Sequence, residues 1–291
     1  MRTALRRLLE QRAQPLPATW RTALLAVSAV GIAAASIWAW RSSGLSRDDL
    51  EWGPIVLLLL VAAPLSLALK AAEYHVAAGV AGQRPTARRA LDVAVVSSAA
   101  NLLPLPGSLL VTVRSLSEDG TTYGGAVAAG AVPGLAWLGI TGVGGGSAIA
   151  IAGPAALGLA VAAAGVVALV AALSLFRASA PPHGRFKLGA AIVVVETMWL
   201  GVSALRLGLA VTALGVSIDA AQAFALSVAG ALTVAIGFFP GGLGIREALI
   251  AALSPLIGLP FDTGVLIGSL DRVIWLVFLG AAAALLAIRR R

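Results

Sequence analysis

Residues 153–176 read GPAALGLAVAAAGVVALVAALSLF, without one charged side chain. Such a run is longer than the roughly 20 apolar residues that carry an α-helix across the hydrocarbon core of a bilayer. Working outward, similar runs occur on both sides, so spans are expected at Trp20–Trp40, Gly53–Val80, Thr121–Thr141, Gly153–Phe176, Leu188–Val216 and Phe261–Ile288. The composition agrees: 59% of residues are apolar and 12% charged, against about 45–50% and about 25% in a soluble domain. The connections are too short to fold separately. The expectation is therefore an all-α integral membrane protein, one membrane domain over 1–291 with no soluble catalytic module. The basic, then apolar, beginning of the chain reads as a retained first helix rather than a cleaved leader.

Two further apolar stretches do not read as simple spans. Leu91–Leu116 is interrupted by Leu103-Pro104-Leu105-Pro106-Gly107, which leaves two arms too short to cross. Ala220–Ile257 is broken at Phe238-Phe239-Pro240-Gly241-Gly242-Leu243-Gly244, with a first arm long enough to cross and a marginal second. Arg2, Arg6, Arg7 and Arg12, the group Arg84, Arg88 and Arg89, the group Arg177, Arg185 and Lys187, and Arg289–Arg291 all fall on one side only if both broken stretches are re-entrant. About six transmembrane helices plus two re-entrant hairpins, both termini cytoplasmic, in a plasma (inner) membrane, is the topology that follows.

The formal charge of +8 sits at the ends of apolar runs, so it is read as an orientation signal and not as a nucleic-acid footprint. The chain has no cysteine, and His75 and His183 lie far apart without metal-ligand spacing. Neither a metal nor a cofactor is expected, and no catalytic residue is assigned.

The two halves match in order. Ala68-Leu69-Lys70 before Gly79-Val80 parallels Ala204-Leu205-Arg206 before Gly215-Val216, and Pro106-Gly107 parallels Pro240-Gly241. Gly130 to Leu138 parallels Gly268 to Leu276. Half-repeats at 53–142 and 188–288, entering the membrane from opposite sides, make an inverted repeat, the design of many secondary transporters.

The polar residues inside these stretches are the candidates for function. Gly241, Gly242 and Gly244 permit backbone angles closed to other residues. A helix starting near Ile245 would offer N–H groups to an anion, and Arg246 adds a guanidinium fork suited to phosphate. Glu247 would position Arg246 or carry a proton. Asp271 and Arg272 are adjacent and cannot share a helix face, so each is expected to pair elsewhere, with Arg246 and Glu247 across the core. Lys70 and Arg206, related by the repeat, would snorkel to opposite leaflets or, facing inward, guide headgroups. Glu73 is one turn from Lys70 and pairs with it in the simplest reading. Glu196 is deep in its span, a proton-coupling candidate or a hydrogen-bonded structural acid. Asn101 would satisfy backbone groups freed by Pro104 and Pro106. Arg114, near Glu118 and Asp119, reads as an interfacial anchor or a phosphate contact.

Asn-Leu-Leu-Pro-Leu-Pro-Gly at 101–107, Pro-Gly-Gly-Leu-Gly-Ile-Arg-Glu at 240–247 and Asp271-Arg272 in the last span together resemble the transmembrane domain of lysylphosphatidylglycerol synthases and related flippase-like membrane proteins. The resemblance runs from about Leu57 to the C-terminus. It implies movement of a polar-headgroup lipid between leaflets, with membrane lipids as partners and a separate lipid-modifying or glycosyltransferase enzyme as a possible one. The synthase module of that family is not carried over. Pro133-Gly134 stand where the family pattern leads one to expect charge, so a symmetric two-site mechanism is not implied. The function expected is a lipid flippase or scramblase for a phospholipid or a polyprenyl-phosphate-linked sugar, and not an enzyme. The alternatives are a membrane-embedded transferase acting on a lipid-linked substrate, and a small-solute secondary transporter.

Overall fold

A computed structural model describes residues 30–31, 33–101, 107–236 and 244–289. Those residues are helical and joined by short turns. A helix α1 covers 33–42. It is followed by α2 (Trp52–Val80), α3 (Ala87–Ala100), α4 (Gly107–Glu118), α5 (Tyr123–Ala152), α6 (Ala155–Ser179), α7 (Arg185–Thr212), α8 (Ala220–Ile236), α9 (Ile245–Leu253) and α10 (Phe261–Arg289). Five of them, α2, α5, α6, α7 and α10, are long and apolar enough to cross a membrane. The first expected span, Trp20–Trp40, lies mostly outside the described residues. So do 102–106 and 237–243, which hold most of both expected breaks, Gly241 and Gly242 included.

Helix α6 shows how a helix in a greasy bundle is held. Its buried residues Gly158, Gly165 and Ala172 recur every seven positions, with Phe176 one turn further on. Much of the rest of its surface, including Leu159, Val167 and Val170, is exposed. That narrow seam meets a glycine face of α5 so closely that a Cβ on Gly142 would stand 2.7 Å from Gly165 Cα, and one on Gly146 2.6 Å from the Ala162 nitrogen. Small residues let two backbones touch where lipid removes the hydrophobic drive between helices. This is also why α5 continues to Ala152 and does not end at Thr141 as expected. Gly142–Gly146 read as a stop in a soluble protein, but here they are the contact surface.

The remaining boundaries differ for ordinary reasons of capping. Thr122 opens α5 by accepting the N–H of Gly125, and Thr86 opens α3 by accepting that of Arg89. Gly184, at φ 77°, lets the chain turn into α7, which ends at Thr212, four residues before the expected Val216. Helix α8 has 17 residues, a rise of about 26 Å. In its described residues this arm therefore falls short of the roughly 30 Å it was expected to cross.

Helices α2 and α7 run antiparallel. The Glu51 N–H at the start of α2 donates to the Ala213 carbonyl just past the end of α7 (3.0 Å), and Gly79 near the end of α2 meets Leu188 near the start of α7. Apolar cores form toward the two ends of this pair. One gathers Tyr74, Val76, Val80, Leu116, Val132 and Ile192, and the other gathers Leu58, Leu207, Leu226, Ile250 and Ile267. A smaller one joins Leu67, Ala94, Val95 and Leu279.

The short helices pair off, α3 on α4 and α8 on α9. Gln83, ahead of α3, donates to the Leu116 and Asp119 carbonyls around the end of α4 (2.9 and 3.2 Å). Gln222, in the first turn of α8, donates to the Ile257 carbonyl beyond α9 (2.8 Å). In each pair these bonds bring the start of the first helix close to the end of the second.

Candidate functional site

Five charged side chains from three helices meet inside the bundle. Asp271 stands ten residues after Phe261 in α10, about 15 Å from that end of the helix. Its side chain is fully buried. Arg206 of α7 donates to Oδ1 from Nε at 2.8 Å, and Arg246 of α9 donates to Oδ2 from Nη1. The neighbouring Arg272 donates from Nε to Glu247 Oε1 at 2.8 Å. Asp271 and Arg272 thus point apart, as neighbours on a helix do, and each has a partner on α9.

Helix α9 is placed to deliver both partners by its first turn. Gly244, at φ 85°, precedes the helix, and its N–H donates to Glu247 Oε2 at 2.8 Å. That is the backward half of a capping box. One Glu247 oxygen thus caps the helix and the other holds Arg272, so its hydrogen bonds go to these two groups and not to Arg246. Gly268 of α10 lets the contact form: a Cβ there would stand 3.0 Å from Glu247 Cα.

Of the two readings of Arg206, reaching for a leaflet or facing inward, its position matches the inward one. Its side chain is only 12% exposed, its guanidinium carbon lies 5.0 Å from the centre of the Trp275 ring, and Nη1 donates to Ser66 Oγ at 3.2 Å. Neither Ser66 nor Trp275 was singled out from the sequence, although each stands one helical turn from a residue that was: Ser66 from Lys70, and Trp275 from Asp271. Lys70 is likewise drawn inward. Its Nζ lies 2.8–2.9 Å from both oxygens of Glu73, and it does not join the five-residue cluster.

The other candidates lie apart. Asn101 Oδ1 accepts the Ser108 N–H at 2.8 Å, a backbone group at the start of α4. Arg114 is exposed and bound to Glu118 at 2.9 Å, and that hydrogen bond holds the Glu118 carboxyl below its usual range. It belongs to the surface and not to the buried site. Glu196 is buried in α7, among different neighbours from those of Asp271.

Two of the buried arginines, Arg206 and Arg246, share a single carboxylate, Asp271. Two guanidinium forks that converge on one small acceptor can also hold a further anion between them. No known protein family and no curated protein matches this chain.

Proposed function

We propose that this chain is a lipid flippase or scramblase that binds the phosphate of a polar-headgroup lipid between Arg206 and Arg246 during passage between leaflets. The observation that carries the reading is the pair of buried arginines, Arg206 and Arg246, that share one carboxylate inside the bundle. A phosphodiester headgroup is an anion whose oxygens suit guanidinium forks. The lipid tails stay in the bilayer while the headgroup follows the polar interior. Phospholipids and polyprenyl-phosphate-linked sugars both present this chemistry, and a separate enzyme that makes or uses such a lipid is the natural partner. This is the activity implied by the resemblance to the lysylphosphatidylglycerol synthase transmembrane domain.

The frame of the proposal is an inverted repeat of 53–142 and 188–288. Several relations support it: α2 and α7 are antiparallel, and α3–α4 and α8–α9 form like pairs. Gly130 meets Leu109 at a built Cβ distance of 3.0 Å, while Gly268 meets Glu247 at 3.0 Å, and both residues of the second contact stand 138 positions after those of the first. In the same register Ser108 parallels Arg246, and Pro133-Gly134 parallels Asp271-Arg272. Within it, α3–α4 and α8–α9 are re-entrant hairpins on opposite sides of an inner membrane, and both chain ends are cytoplasmic. The headgroup site is then built in the second half alone.

The test is a proteoliposome assay with headgroup-labelled phosphatidylglycerol. Wild type is expected to move label between leaflets and Arg246→Ala to do so far more slowly. Uptake of free inorganic phosphate without lipid movement would instead assign the same site to a small-solute transporter.

A further inference from the structure

Helix α7 carries a second buried acid, which the anion site leaves unused. Glu196 is 1% exposed, and its Oε1 meets no hydrogen-bond partner. Helices α5 and α7 run in the same direction, each being joined to α6 by a short reversing turn. Gly144 of α5 meets Leu200 of α7, so one turn earlier Thr141 and Glu196 stand at one level. Thr141 Oγ1 and Trp137 Nε1, both on α5, are also buried without a hydrogen-bond partner. Three unsatisfied polar atoms on two adjacent helices are unusual, since buried polar groups are nearly always paired.

The charged groups that act on Glu196 are Glu73 and Lys70 of α2. Helix α5 has no charged side chain and α8 has none. Asp271 and Arg272 of α10 are engaged with Arg206, Arg246 and Glu247. Helix α2 also links Glu196 to the anion site. Ser66, Lys70 and Glu73 follow the spacing of one helix face, and Ser66 receives the Arg206 guanidinium. The stripe from Ser66 to Glu73 is about 10 Å long.

We propose that Glu196 is a proton-binding site, and that its proton governs how firmly the Arg206–Arg246 site holds an anion. This coupling rests on the function proposed above, whereas the proton site itself does not. Oε1 is buried without a hydrogen bond, and a charge on an unpaired buried oxygen is costly, so the neutral acid is the favoured form. When Glu196 releases its proton to water, a second carboxylate appears beside Lys70. The ammonium, until then held by Glu73, is drawn between the two acids. The α2 face moves with it, and the grip of Ser66 on Arg206 changes.

Two measurements test this. Infrared difference spectra of the purified wild type across a pH jump should show the C=O band of a protonated carboxylic acid. The band should be absent from Glu196→Gln and shifted in Glu196→Asp, which serves if the glutamine variant does not fold. In proteoliposomes with headgroup-labelled phosphatidylglycerol, an imposed pH gradient should change the wild-type flipping rate several-fold, and in Glu196→Gln the ratio of rates with and without the gradient should fall to one. Absence of the band, a band that answers to sodium and not to pH, or a glutamine variant that keeps its gradient dependence would each overturn the proposal. If the band is present but neither protein flips lipid, the proton site stands and the lipid reading falls.

Discussion

Arg206 and Asp271, 65 positions apart in the chain, are joined by two donors on one oxygen: Nε and Nη2 both lie 2.8 Å from Oδ1. The other oxygen belongs to Arg246. Removing the shared acceptor should therefore hurt more than removing either donor. Asp271→Ala strands two buried guanidiniums against each other, and breaking a buried pair in this way costs about 3–5 kcal/mol. Arg206→Ala leaves the carboxylate still held by Arg246. Thermal unfolding in detergent should rank wild type above Arg206→Ala and Arg206→Ala above Asp271→Ala. Equal losses would mean that the carboxylate is not shared.

For transport the ranking should fall on Arg246. Arg246→Lys keeps the charge but loses the planar fork, so flipping of labelled phosphatidylglycerol should slow, and in Arg246→Ala it should slow further. Wild-type flipping by the alanine variant would remove Arg246 from the mechanism.

Gly268 and Gly130 offer a matched comparison. A methyl at Gly268 meets the Glu247 main chain, which cannot yield without moving α9, whereas one at Gly130 meets the tip of Leu109, which can turn aside. Gly268→Ala should lose about 1–3 kcal/mol, the usual cost of overpacking, and Gly130→Ala clearly less. Denaturation midpoints that coincide would show that α9 is not pressed against α10.

The α5–α6 seam should be intolerant at Gly165, where a side chain would meet α5 main-chain atoms at 2.5–2.8 Å. Gly165→Val is expected to lower the yield of folded protein sharply. Gly134→Ala, in the same bundle but with open space around it, should be neutral or stabilise by up to about 1 kcal/mol from helix propensity alone. Size-exclusion profiles of the two variants would separate these outcomes.

Much of this arrangement is legible in the sequence. Long apolar runs place four of the five long helices to within a few residues, whereas α5 continues to Ala152, past its expected end at Thr141. The pairing of Asp271 and Arg272 with Arg246 and Glu247 follows from adjacency, because neighbours on a helix face apart. Arg206 escaped that logic. Its acceptor is on another helix, and an arginine in an apolar run reads equally well as a residue reaching for the surface. The capping of α9 by Glu247 was hidden for a similar reason: one side chain serves two partners, and the sequence shows only that a glutamate is present.

In α2, the turn at Leu58–Ala62 is π-helical, and the Ala63 N–H reaches back to the Leu58 carbonyl. Pro64 follows and has no N–H of its own to donate. Such a turn holds one residue more than the α-helix around it needs. Helix α2 therefore contains a spare residue. Deleting one leucine from 58–60 would close the turn into ordinary α-helix and leave Ser66, Lys70 and Glu73 facing as they do now. The same deletion one turn beyond Lys70 would swing everything after it by about 100°. The segment before Pro64 is thus where the length of this helix is free to change by one residue without disturbing the charges it carries.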